Sequence, residues 1–368
     1  MRHFEKLEEI GPHYGYYPEP SKSILIVPQK NLAAAQIAFE GHEFTITTGN
    51  RYLGGFIGER EAQDIWIREK VANWAVAVEE LASVAVNYPQ TAYTALQRSL
   101  QQEWQFVQRV AKDVGEAFTD VEKAISQSFL PAVFGDVFDD DDPRLRLAGL
   151  PVKHAGMALP DPIKSAKTNY EASTLVNVHL LAALKGNEVF RSVDHKTASR
   201  EVKSELKTRK KAKDDSELNS IVSKLPCDLR RAILRAKATG QWISAMPSTV
   251  NGTVLSAQEY RDAFLLRYGR SPGDLQPHCD GCGQKNSIRH ALECKKGGNV
   301  ILRHNEIRDE LADLASKAII PTAVRNEPSI HASFPAVKMS ATDQDQPAVS
   351  RNFHKNRGEI RGDLSIRG

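Results

Sequence analysis

From Glu61 onward the apolar residues fall into step. Ile67, Val71, Trp74, Val78, Leu81 and Ala85 are separated by alternating intervals of four and three, the spacing that puts side chains on one face of an α-helix. Asn87-Tyr88-Pro89-Gln90 breaks the run, because proline has no amide to give to the helical ladder. A second stripe follows in Tyr93, Leu96, Leu100, Trp104, Val107, Val110 and Val114. Two stripes joined by a short turn predict an antiparallel helical hairpin. Val121, Ile125 and Phe129 mark a third helix. An aromatic-rich apolar stripe most simply makes a helical core, so Trp74 and Trp104 are read as core residues in preference to platforms for base stacking.

The first segment has a different period. Ser23 to Val27 is a short β-branched run closed by Pro28, and Asn31 to Phe39 is Ala-rich and predicts a short helix. His42 to Thr48 alternates, with Phe44 and Ile46 on one face; Gly49-Asn50 predicts a turn, and Tyr52 to Gly58 the returning strand. The expected fold class is therefore mainly α, with a small βαββ-like α+β unit at the N-terminus.

Further along, Asp139 to Asp142 is an acidic run closed by Pro143, read as a solvated linker in preference to a magnesium site. Leu175 to Leu184 resumes helical patterning and ends at Gly186. The stretch from Lys196 to Lys213 is polar and basic, with Lys207, Arg209, Lys210 and Lys211 clustered near its end. Such a cluster could contact phosphates without reading sequence, or could be a solvated helix face or flexible arm. Ser256-Ala-Gln-Glu259 is a capping box that opens a helix running to Tyr268 and stopping at Gly269. Ile307, Leu311 and Leu314 predict another helix from about Arg303 to Lys317, and Ala332 to Asn356 lacks any period and reads as disordered.

A net charge of +3 is close to neutral, so affinity for nucleic acid would have to come from a local patch. The N-terminal segment resembles neither a secretory signal nor a presequence, and no apolar stretch is long enough to span a bilayer. The expectation is a soluble, intracellular protein, nuclear or cytoplasmic and not secreted. Asn251-Gly252-Thr253 is then a turn and not a glycosylation site.

Three of the four cysteines lie within 16 residues of one another, in the pattern Cys279-x2-Cys282-x7-His290-x3-Cys294. Two thiolates two residues apart grip one side of a tetrahedral ion, and a histidine and a cysteine from a following helix complete the shell. Gly281 and Gly283 flank Cys282, where the backbone must bend toward sulfur. The pattern predicts a structural Zn2+ in a small knuckle, with no open position for water and hence no catalysis by the metal. His278 is a rival ligand, and Cys227 reads as a buried small hydrophobe. Neither a GxSxG nucleophile elbow nor a Walker phosphate loop occurs in the chain.

Several islands resemble the reverse transcriptases of non-LTR retroelements. Gly15 to Ser23, with Lys22, is similar to the segment after the catalytic aspartate pair, where a Gly-Tyr turn leads to a lysine and a strand. Arg51-Tyr52-Leu53-Gly54-Gly55-Phe56-Ile57-Gly58 resembles the strand that closes the palm, and the helical hairpin then resembles a thumb. Arg270 to Cys294, with His304 to Asp309, is similar to the C-terminal cysteine–histidine region of such proteins. Arg361-Gly362-Asp363-Leu364 resembles the entrance to a restriction-like endonuclease, with Asp363 matching its first metal-binding carboxylate.

The resemblance implies a palm remnant over 1–60, a thumb-like region over 61–138 and a helical linker with the basic stretch over 139–255. A CCHC knuckle with flanking helices over 256–320 and a tail over 321–368 would follow. No Tyr/Phe-x-Asp-Asp hairpin precedes Gly15, so no catalytic residue is carried over, and the chain is read as a fragment downstream of the polymerase centre. Its implied partners are RNA and DNA, held through the phosphate backbone by Lys22, Lys207, Arg209, Lys210 and Lys211. Two other readings stay open: a zinc-stabilised scaffold or interaction protein, and part of an active RNA-directed DNA polymerase.

Overall fold

The computed structural model describes residues 2–139, 142–237, 239–273, 275–296, 299–319, 324–326, 329–330, 360–361 and 364–366. The protein is mainly α with a small α+β unit near the N-terminus. It divides after Pro272 into two units. The expected disorder of Ala332 to Asn356 lies outside the described residues, as does Asp363.

Helix α1 (Arg2–Ile10) opens the first unit. Strand β1 (Ile24–Ile26), helix α2 (Leu32–Ala38) and strand β2 (Thr45–Thr47) form a short crossover, and the two strands pair in parallel with Leu25 opposite Ile46. Strands β3 (Gly49–Tyr52) and β4 (Gly55–Gly58) pair antiparallel. The turn expected at Gly49-Asn50 is therefore two strand residues, and the chain reverses instead at Leu53-Gly54, with φ of 47° and 82°. Positive φ at both central residues is the geometry whose twist matches a two-residue hairpin, and leucine at the first of them hides the signal from a reading based on Asn-Gly pairs.

The predicted stripe is the core. Helix α3 (Arg60–Ala85) buries Ile67, Val71, Trp74, Val78 and Ala85. Pro89 starts α4 (Pro89–Ala95), which continues through a wider π-helical turn into α5 (Gln101–Val110). Tyr93, Leu96, Trp104, Val107 and Val114 are buried, whereas Val110 faces outward. Trp74 stacks on Phe118 at 6.1 Å and meets Trp104 edge-on at 6.4 Å, and its indole N–H donates to Glu103 at 3.0 Å. With Trp74 6% and Trp104 1% exposed, neither ring is open to a base. The third stripe, on α6 (Thr119–Lys123), a second π-helical turn and α7 (Leu130–Phe134), packs on α3.

Asp142, the last residue of the acidic run, does more than link. Asp142 caps α8 (Pro143–Ala148) by accepting from the Arg144 amide, and it chelates the Arg144 guanidinium, which also reaches Asp136 at 2.7 Å. Arg144 is buried and lies 4.0 Å over the Phe138 ring. Burial pushes the Asp142 carboxyl upward, but its hydrogen bonds and Coulomb attraction to Arg144 outweigh that and hold it below the usual carboxylate range.

Helix α9 (Pro162–Val176), capped by Asp161, lies on α5. After α10 (Val178–Leu184), Gly186 reverses the chain at φ 74° into α11 (Ser192–Ser223). Helix α12 (Cys227–Ala236) begins with Cys227, which is exposed and not the buried hydrophobe expected; placement at the first turn of a solvent-facing helix is not encoded in the thiol itself. The capping box forms as predicted on α13 (Ala257–Arg267), and Gly269 follows at φ 70°. Arg261 from α13 donates to the carbonyls of Ala85, Val86 and Ala132, satisfying the open ends of α3 and α7.

In the second unit, α14 (Ile288–Glu293) is followed by α15 (Asn299–Ala318), and Arg303 donates to the Leu292 carbonyl at 2.9 Å to join them. Backbone pairing links Val324–Asn326 to Leu364–Ile366 and Ser329–Ile330 to Ile360–Arg361.

Candidate metal centre

The first two ligands sit on a tight reversal. The Cys279 N–H donates to the Gln284 carbonyl at 2.9 Å, the Gly283 N–H to the Cys279 carbonyl at 2.7 Å, and the Asn286 N–H to the Pro277 carbonyl at 2.8 Å. His278 and Lys285 pair as an antiparallel bridge across the base. Gly283 sits at φ +71°, a conformation costly for any residue with a side chain. Of the two glycines expected to bend the knuckle, only Gly283 has left-handed backbone.

The second pair comes from α14. Ser287 caps this helix by accepting from the His290 amide at 3.0 Å, and the Cys294 amide donates back to the His290 carbonyl at 2.8 Å. One helical turn separates the two residues, which puts them on the same face.

The four ligand atoms lie within 4.8 Å of one another. Cys279 Sγ is 3.6 Å from Cys294 Sγ, and Cys282 Sγ is 3.1 Å from His290 Nε2. Four ligands at zinc bonding distances on a tetrahedron stand roughly 3.5–3.8 Å apart, so the cluster has the size of a first coordination shell. His278 is not among the converging residues. The backbone N–H of Gln284 pulls the Cys282 thiol down, but burial and the neighbouring thiols of Cys279 and Cys294 outweigh it and leave the thiol above its usual value. Crowded sulfurs that resist ionisation alone are what a divalent cation relieves, since its charge favours each thiolate. The group could hold a metal ion.

The other predicted residues do not gather here. Lys22 ends a 3-10 turn and pairs with Glu19 at 2.6 Å, both exposed. Lys207, Arg209, Lys210 and Lys211 are exposed on α11. Among the described residues no helix is long and apolar enough to cross a membrane. Sequence reasoning missed the buried Arg144–Asp142 pair, although an arginine two residues after a pre-proline aspartate was a usable sign of a cap with an ion pair. Comparisons with protein-family models, curated proteins and solved structures return no match.

Proposed function

We propose that this chain is a zinc-stabilised nucleic-acid-binding protein, and that it corresponds to the region of a non-LTR retroelement reverse transcriptase that follows the polymerase centre. The observation that carries the reading is the convergence of Cys279, Cys282, His290 and Cys294 to within 4.8 Å. Three thiolates and an imidazole form a donor set suited to zinc, and four protein ligands leave the ion no position for water. The metal's role is therefore to hold α14 against the knuckle, in a unit whose described residues bury little else.

Nucleic acid would be bound through its phosphates. The exposed lysines Lys207, Lys210 and Lys211 of α11 support this, because no ion pair forms to any of them among the described residues and they present charge without a shaped pocket for bases, whereas Arg209 is paired with Glu205. No catalytic role is assigned to any residue of this chain. The test is binding of the full, metal-loaded chain to labelled RNA and DNA at rising salt. The reading expects affinity for both to fall steeply between 50 and 200 mM salt, by roughly a thousandfold for about six phosphate contacts. Absence of binding to either polymer at low salt would favour the scaffold reading.

A further inference from the structure

Helix α11 carries a pattern that its sequence conceals. At about 100° per residue, Lys196, Arg200, Lys203, Lys207 and Lys210 fall on one line, stepping by four, three, four and three, and Lys211 lies beside it. All six are exposed, and no ion pair forms to any of them among the described residues. Glu201 and Glu205 lie on the opposite side, and so does Arg209, which pairs with Glu205. The front of the helix is thus a row of unneutralised cations about 21 Å long, while on the back Arg209 is paired with Glu205.

The row is held straight at both ends. Near its start Ser199 donates to the Val176 carbonyl of α9 at 3.0 Å. Beyond its end Asp215 meets His154 at 3.0 Å, Glu217 meets Arg146 at 2.8 Å, and Leu218, Ile221 and Val222 are buried. From Arg200 to Lys213 no residue is buried, so this span stands in solvent between two anchors.

We infer that the Lys196–Lys211 face of α11 is a docking surface for the phosphate backbone of double-helical nucleic acid. The inference rests on the nucleic-acid reading above and sharpens it to one face and one polymer form. A rigid row of cations suits a rigid row of phosphates; a single strand would have to be ordered along it at a cost in conformational entropy. A membrane surface is disfavoured, since an interfacial helix needs an apolar face to insert and this span offers only Val202, Leu206 and Ala212, the first two half-buried.

The experiment measures the salt dependence of binding by fluorescence anisotropy, using the full zinc-loaded chain and a 30-base-pair duplex. The variants are Lys196→Gln/Arg200→Gln/Lys203→Gln and Arg209→Gln. Glutamine keeps helix propensity close to that of lysine and arginine, and circular dichroism checks that each variant folds. The inference expects the triple variant to lose about three units of log–log salt slope, about one per cation removed, while Arg209→Gln keeps the wild-type slope. If the wild type binds duplex and the triple variant matches it, the face is overturned while nucleic-acid binding elsewhere on the chain survives. Tighter binding to single strands, or to phosphatidylserine vesicles, than to duplex overturns the assigned ligand. Failure of the wild type to bind any nucleic acid overturns both this inference and the reading beneath it.

Discussion

The helical unit and the cysteine–histidine unit differ in how much apolar surface each buries. Around α3 the core is continuous, with Trp104, Phe118 and Phe129 each at most 1% exposed and Trp74 locked by both stacking and a hydrogen bond. In the second unit, among the described residues, Cys294 and Ala312 are the buried hydrophobics, while Ile307, Leu311 and Leu314 of α15 remain about half exposed. Hydrophobic burial is worth about 25 cal/mol per Å2, so the first unit gains from many large side chains and the second from few. The knuckle needs another source of stability, which its four convergent side chains would supply by closing on an ion. A short stretch with almost no core can thus have a defined backbone whose polar side chains converge on one point.

The largest effect should come from removing the metal. Apparent zinc-binding energies in small fingers are roughly 10–16 kcal/mol, far more than any one side chain contributes. Chelation should therefore abolish hydrogen-exchange protection at Cys279, Gly283, Asn286 and Cys294, the amides bonded within the knuckle and α14, and leave α3 protected. Equal protection of the knuckle with and without chelator would erase the distinction between the units.

Next in size is Trp104→Ala, which should cost the helical unit about 3–5 kcal/mol, read as a lower urea midpoint. The bound metal per chain should not change. Loss of metal in this variant would mean that the two regions are not stabilised separately.

Acid should also separate them. Asp142 has a folded pKa below its unfolded one, so its contribution is complete above the unfolded value, near pH 4, and disappears as pH falls through the folded value. Thiolate and imidazole ligands take up protons at higher pH than carboxylates do, so metal should leave before the helical unit weakens. A titration following metal by mass spectrometry and helix by circular dichroism should show two steps in that order. Arg144→Leu should cost about 3 kcal/mol, because it leaves Asp142 without its buried partner, and should flatten the lower step only. The smallest effect is Ser256→Ala, expected to lower the helical unit's stability by about 1 kcal/mol through loss of the cap on α13.

The features readable in sequence were those with a short-range code. The stripe from Ile67 to Val114, the Ser256–Glu259 box and the Cys279–Cys294 spacing each specify their geometry within a few residues, and the structure realises each of them. Val110 departs from its stripe at the last residue of α5, where Gln108 and Ala111 take the buried positions in its place. The hairpin at Leu53-Gly54 and the exposure of Cys227 depend on tertiary surroundings, which no local pattern reports. Arg144 was legible in part: its capping partner Asp142 lies two residues away, whereas Asp136 and its aromatic floor, Phe138, lie eight and six away on no regular spacing. The basic stretch was legible as charge but not as a face, since Arg209 adjoins Lys210 in sequence yet is turned about 100° from it on the helix and pairs with Glu205.

A metal should hold the second unit, and native mass spectrometry of the purified chain alongside Cys282→Ser decides the matter. The expected result is one zinc per wild-type chain and none in the variant. A wild-type chain that carries no metal, even after purification with zinc supplied, would contradict it.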